Sequence, residues 1–269
     1  TTEVKKLEIE TLDNLKLSKA KNTIRAYKSD FNDFLLFCTK HNLKSLPSDP
    51  KIVSIYLTHL SKNSKFSTLK RRLASINMMH RYKGHYLDTK HPIIVENLIG
   101  IKRQIGVYQK AKKPLLFNDI KAIIKQIDQS PGNSSKKQRD KALILVGFAG
   151  GFRRSELVSI TKEDVEFVKE GVKIFVKKSK SDQSGEGMIK AIPSFKYNDY
   201  CPVENLRLWM YENRNDKIFG ISDKNVALIV KKYALQAGFD DKKYAGHSLR
   251  SGFATATAES GASERNIMA

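Results

Sequence analysis

Apolar residues through the first half of the chain recur at three- and four-residue steps, the spacing of one face of an α-helix. Ile24, Tyr27, Phe31, Phe34, Leu35 and Cys38 form such a stripe and predict one long amphipathic helix with Thr23 as its N-cap. A second helix is predicted from about Pro50 to Leu60, with Pro50 suited to an early helical position and Val53, Tyr56, Leu57 and Leu60 on one face. A third follows Ser67, with Leu69, Leu73, Ile76 and Met79 turned inward and Lys70, Arg71, Arg72 and Arg81 turned outward. A fourth follows Pro92, through Val95, Leu98 and Ile99. The pattern predicts a small four-helix domain over residues 1–105, basic on one face.

Beyond it the period changes. Helical spacing predicts a helix at about 117–128 and a buried one at 137–149, followed by short strands near 163–168, 172–178 and 188–193. Val172-Lys-Ile-Phe-Val alternates apolar and polar positions, and Gly185 and Gly187 can turn the chain, so the strands flanking Ser179 to Gly187 read as a hairpin. Helices return from 202 onward. Between the halves lies a short basic joint over residues 106–114, marked by Gly106, Lys110, Lys112, Lys113 and Pro114, whose proline discourages helix just before it. The predicted fold class is mainly α with a small β-sheet, with a second α+β domain over residues 115–269.

Composition narrows the partner. A chain of 269 residues at 40% hydrophobic content can fill two cores, so disorder is not the default. Lys and Arg number 49 against 28 Asp and Glu, a net charge of +21 with a pI near 9.8. That balance favours a polyanionic partner, nucleic acid ahead of an anionic membrane surface. Residues 1–113 hold 23 basic and 9 acidic residues, net +14, and residues 114–269 hold 26 and 19, net +7, so the first half supplies most of the attraction. No stretch nears the roughly 18 consecutive apolar residues of a membrane span, and the first residues lack a signal-peptide core, which predicts a soluble, intracellular protein. Cys38 and Cys201 lie far apart and suggest reduced structural cysteines, neither a disulfide framework nor a zinc site. The absent initiator Met and the ending Glu264-Arg-Asn-Ile-Met-Ala269, which reads as an interrupted helix, predict a fragment.

Three segments carry candidate chemistry. In Gly147-Phe-Ala-Gly-Gly-Phe-Arg-Arg-Ser-Glu-Leu157 an apolar helix ends in glycines and two arginines follow at once, so Arg153 or Arg154 should emerge from the domain interior. An ordinary ion pair between an arginine and Glu156 explains the segment equally well. Lys180, in the predicted hairpin, could donate a proton to a ligand beneath it, although exposed hairpin lysines are common. In Gly246-His-Ser-Leu-Arg-Ser-Gly252, His247 and Arg250 stand three apart and share a face if a helix starts there, where they can converge on one phosphate.

In this order the segments resemble the tyrosine recombinases, the phage integrase family. Gly151-Phe-Arg-Arg-Ser-Glu-Leu157 is similar to the family's first arginine box, Ser179-Lys-Ser-Asp-Gln183 to the segment holding its lysine, and His247-Ser-Leu-Arg250 to its second box. Asn22-Thr-Ile-Arg-Ala-Tyr-Lys-Ser-Asp-Phe31 resembles the first helix of the family's core-binding domain, and Cys201-Pro-Val-Glu-Asn-Leu-Arg-Leu-Trp209 a recurring stretch between the boxes. The resemblance implies a helical core-binding domain that clamps DNA, joined to a catalytic domain, here truncated at its C-terminal end. It implies catalytic roles for Arg153, Lys180, His247 and Arg250, with Glu156 in support, and cleavage through a 3′-phosphotyrosine without metal, nucleotide or other cofactor.

It further implies double-stranded DNA with a specific site as partner, a homotetramer on two such sites, and a cytoplasmic, nucleoid-associated location, and it leaves room for an accessory DNA-bending protein. Phosphate contacts are expected from Lys70, Arg71, Arg72, Arg81, Lys110, Lys112 and Lys113. The chain departs from the family at its end. The nucleophilic tyrosine is expected some thirty residues beyond the second arginine, but Arg250 is followed by 19 residues and all ten tyrosines, Tyr27 to Tyr244, precede it. The fragment is therefore expected to bind DNA without cleaving it. Two other readings stay open: a catalytically inactive site-specific DNA-binding protein of the same fold, and a type IB-like topoisomerase.

Overall fold

The computed structural model describes residues 3–7, 10–11, 20–107, 112–177, 186–195, 198–240 and 242–261. The chain divides into two compact units, Thr1–Gln109 and Lys110–Ala269. None of the described helices is long and apolar enough to cross a membrane.

Four helices build the first unit: α1 (Lys21–Lys40), α2 (Pro50–Ser61), α3 (Phe66–Tyr82) and α4 (Pro92–Ile105). α1 lies against α3 and α2 against α4. The core is drawn from all four, with Phe34 and Cys38, Tyr56 and Leu57, Leu69 and Ile76, and Ile94 and Ile101 buried together. Burial raises the Cys38 thiol to about 11, which leaves it protonated and inert. α2 starts as expected, with Pro50 in its first turn and the Asp49 carboxylate accepting the Lys51 N–H at 2.7 Å.

Three expectations change here. Thr23 is not the cap of α1: the helix has already begun, and the Ala20 carbonyl accepts the N–H groups of Thr23 and Ile24. Leu35 is exposed, and α4 buries Ile94 and Ile101 while Val95 and Ile99 face outward. Apolar residues occupy both alternatives in α4, so periodicity alone does not choose between them. Arg72 does not project outward. Its guanidinium lies 3.1 Å from the Asp33 carboxylate and donates to the Asp30 carbonyl at 3.0 Å. The buried Asp30 carboxylate also accepts from Arg71 at 2.5 Å and from the Ser75 hydroxyl at 2.9 Å, tying α1 to α3.

The second unit contains α5 (Phe117–Gln129), α6 (Ser134–Ala149), α7 (Arg154–Ser159), a 3-10 turn (Lys162–Asp164), β1 (Val165–Val168), β2 (Gly171–Val176), β3 (Met188–Pro193), α8 (Pro202–Glu212), α9 (Asp223–Gln236) and α10 (His247–Glu259). The strands form an antiparallel sheet in the order β1-β2-β3, with Val165 opposite Ile174 and Val176 opposite Met188. β1 begins at 165 and not at 163 because the Asp164 carboxylate bonds the Thr161 N–H and hydroxyl, which curls the chain before it extends. α6 is buried from Ala142 to Phe148 and runs between α5, α8 and α10. Asp140, also buried, accepts from Arg139 at 2.7 Å and from the Tyr233 hydroxyl at 3.1 Å, fastening α6 to α9.

His80 yields a test of the first unit. The ring is buried, its Nε2 accepts the Ser48 N–H at 2.9 Å, and its Nδ1 faces the Ile76 carbonyl at 2.8 Å. Only the neutral Nδ1–H tautomer satisfies both contacts. Burial holds its pKa below the usual 6.5, against the Ile76 bond. Folding thus gains from neutral His80 above pH about 6.5 and loses that gain as pH falls from there toward the folded value. In urea unfolding, the stability advantage of the parent chain over His80→Gln is expected to shrink as pH falls from 7 to 5.5, and an advantage that stays constant or grows would contradict this.

Candidate active site

The apolar length of α6 places its C-terminal end inside the second unit, where the chain must turn sharply. Gly151 makes the turn with φ of 56°, and a Cβ there would stand 2.6 Å from the Phe253 ring. Phe152 then points into the core and Arg153 comes out of it, three-quarters covered, at the mouth of α7. Glu156, one turn into α7 and almost fully buried, accepts the Arg153 backbone N–H at 2.8 Å and its guanidinium at 2.7 Å. One carboxylate thus fixes both the start of the helix and the aim of the arginine.

α10 enters from the far end of the sequence. The segment before α5 runs beside it, with the Lys113 N–H on the Lys243 carbonyl at 2.8 Å and the Leu115 N–H on the Ser248 carbonyl at 3.0 Å. Gly252 permits this approach, since a Cβ would stand 1.9 Å from the Leu115 carbonyl oxygen. His247 opens the helix on its exposed side, and Arg250 follows one turn later and donates to the Gly151 carbonyl at 2.7 Å. The arginine of the third segment is therefore tied to the glycine turn that delivers the arginine of the first.

β3 contributes a residue that the sequence reading does not single out. Met188, Lys190 and Ile192 alternate onto its more buried face, and Lys190 Nζ stands 5.5 Å from the centre of the Phe152 ring. Burial first, then the Arg250 guanidinium and, more weakly, Arg153 hold the Lys190 pKa down, against Glu156. The Arg250 pKa is lowered by burial and then by Arg153, again opposed by Glu156. Among the described residues, two guanidiniums and an ammonium therefore share one field with the carboxylate of Glu156, whose oxygens accept from Arg153. Such a cluster favours an arriving anion with several oxygens, which forked guanidiniums bind well. Beside it, a cleft of about 470 Å³ lies between the end of α6, β3 and α10, lined by Phe148, Met188, Phe195 and Phe253 among others.

Lys180 and Lys110 fall outside the described residues. Lys70, Arg71 and Arg81 are exposed on α3, where Lys70 and Arg81 are three turns apart and share a face. Lys112 and Lys113 are exposed, with the Lys112 ammonium on the Lys242 carbonyl. Tyr244 packs in the core against Phe239, and burial raises its hydroxyl pKa. Among the described residues no group of three or more His, Cys, Asp and Glu side chains could hold a metal ion.

The chain is similar to known proteins along most of its length. Residues 113–269 match the phage integrase family, and residues 10–85 match the phage integrase N-terminal SAM-like domain. The chain belongs to the phage integrase family, the tyrosine recombinases. It is 37% identical to an integrase/recombinase xerD homolog of Selenomonas ruminantium over 271 residues, covering 94% of this chain and 79% of that protein. The Tn1549 transposon integrase, solved in complex with transposon right end DNA, is similar in fold with a TM-score of 0.63 at 14% identity, covering 93% of this chain and 84% of that one. Lambda integrase bound to DNA gives a TM-score of 0.61 at 16% identity with the same two coverages, 93% and 84%.

Removing the one carboxylate should be costly. Glu156→Ala removes the two bonds that Arg153 makes to this carboxylate beside Arg250, and urea unfolding is expected to show a loss of about 2–3 kcal/mol, discounted for the partial exposure of Arg153.

Proposed function

We propose that this protein is a site-specific DNA recombinase that breaks and rejoins DNA strands through a 3′-phosphotyrosine, without metal or ATP. The observation that carries the proposal is the cationic cluster in which Arg153, from the turn after α6, meets Arg250, from α10, around the carboxylate of Glu156. Attack on a phosphodiester builds a crowded, doubly charged phosphorane-like state, and two fixed guanidiniums stabilise it more than the ground state. In this proposal Arg153 and Arg250 hold the non-bridging oxygens and Glu156 orients Arg153. His247 donates to a non-bridging oxygen or takes the proton of the nucleophile. Lys180 protonates the leaving 5′ oxygen.

The nucleophile is assigned to none of the ten tyrosines of the sequence, all of which precede Arg250. The unit of residues 1–109 clamps the duplex through phosphate contacts from Lys70 and Arg81, with Lys110, Lys112 and Lys113 adding contacts from the joint. Arg71, paired with the buried Asp30, and Arg72, engaged with Asp30 and Asp33, are left as braces of α3. The working assembly is a homotetramer on two DNA sites.

The test is covalent trapping on a nicked duplex carrying the site that the full-length protein selects from a randomised pool. A protein–DNA adduct is expected with the full-length protein and none with the 269-residue chain, while both bind the duplex. Absence of any adduct from the full-length protein would leave a DNA-binding protein only, and relaxation of supercoiled plasmid lacking the site would point to a topoisomerase. Lys180→Ala is expected to slow cleavage by about 100-fold or more with little change in DNA affinity. A large affinity loss with intact cleavage would remove Lys180 from its role.

A further inference from the structure

β3 carries a lysine on the face where its register calls for an apolar side chain. Met188, Lys190 and Ile192 share the more buried face, whereas Ile189, the neighbour of Lys190, points outward at 66% exposure. The strand thus holds an ammonium inward and an isoleucine outward, the reverse of what burial alone favours. Exchanging the two residue types would relieve both, so the inward lysine is not explained by the packing of the sheet.

Its surroundings indicate what it faces. The ammonium sits over the ring of Phe152, the residue before Arg153, at 5.5 Å, and it feels the charges of Arg250, Arg153 and Glu156. Among the described residues no carboxylate comes within salt-bridge distance of it; Glu156 pairs with Arg153 instead. Among the described residues, three cations from three separate elements therefore converge with one carboxylate between them. In the free protein this arrangement is self-repelling, and burial together with the two guanidiniums keeps the lysine below its ordinary pKa. An arriving anion would reverse that penalty.

We propose that Lys190 is a third phosphate-binding cation of this site, presented by β3 to a non-bridging oxygen of the same DNA phosphate that Arg153 and Arg250 hold. The inference rests on the recombinase reading above. Lys190 acts as a charge on the bound phosphate, whereas Lys180 is assigned to the leaving oxygen, so the two lysines should fail differently when removed.

The experiment measures single-turnover cleavage by the full-length protein on the nicked duplex described above, with either an ordinary scissile phosphate or a neutral methylphosphonate in its place. On the phosphodiester, Lys190→Met is expected to slow cleavage by about 100-fold while duplex affinity changes by less than about threefold, and Lys190→Arg to recover most of the rate. On the methylphosphonate, which lacks the charge that Lys190 would neutralise, the parent and Lys190→Met are expected to cleave at equal rates. Equal slowing on both substrates, above all with a lower melting temperature, is the result of a purely structural role and overturns the proposal. So does parental cleavage of the phosphodiester by Lys190→Met. A parent that cleaves neither substrate and forms no adduct instead overturns the recombinase reading, and the Lys190 inference with it.

Discussion

The carboxylate of Glu156 aims Arg153. It is buried, and it binds the arginine twice, through the backbone N–H that begins α7 and through the guanidinium that leaves the core there. A guanidinium on a flexible stem has many rotamers, and holding it at a protein surface costs entropy that a single exposed ion pair scarcely offsets. Burial of the carboxylate changes that balance, because releasing the arginine would strand a charge in the interior. The rest of the second unit meets the same constraint from a distance. α6 must be apolar along its length to end where it does, Gly151 must turn the chain with positive φ, and Gly252 must let α10 close on the segment at Leu115.

The placement of acidic residues separates the arginines that brace the fold from those available to a ligand. On α3, Arg71 and Arg72 lie against the buried Asp30, and Arg72 also reaches Asp33. Their charges are largely neutralised within the first unit. Around α10 the balance is the opposite: Arg250 is bonded to the Gly151 carbonyl, Lys190 is paired to no acid among the described residues, and the carboxylate of Glu156 serves Arg153. The net charge of +21 is thus unevenly expressed. Part of it stays on solvated lysines, part is cancelled internally, and a small part is concentrated where an anion would complete the electrostatics. A phosphate has the charge and the non-bridging oxygens that such a role calls for, which is why the cluster reads as chemistry and the α3 pairs as structure.

Much of this was legible in the residues taken in order. The helical periods of the first half, the strand-forming alternation at 172–176 and the apolar run before Gly150 each reflect local rules, with Pro50, Pro92 and Gly151 punctuating them, and local rules survive folding. His247 and Arg250 share a helix, so their common face follows from spacing alone. Where periodicity offered two answers it misled. α4 is apolar on adjacent stripes, and only the position of α2 against it selects Ile94 and Ile101. Arg72 sits on a helix position that looks solvent-facing until α1 brings Asp30 and Asp33 alongside.

The sequence by itself therefore determined the elements, the mixed fold class, and the residue types from which a phosphate-binding site could be assembled. Tertiary structure alone decided that Arg153 and Arg250, far apart in the chain, meet around Glu156, and that Lys190 joins them from β3. The physical reason is that periodicity and capping act over a few residues, whereas the sum of charges at one point depends on elements brought together from distant positions. Lys190 shows the difference most clearly: along the strand it is one more lysine in a basic chain, and in the folded unit it is an ammonium turned inward toward two guanidiniums.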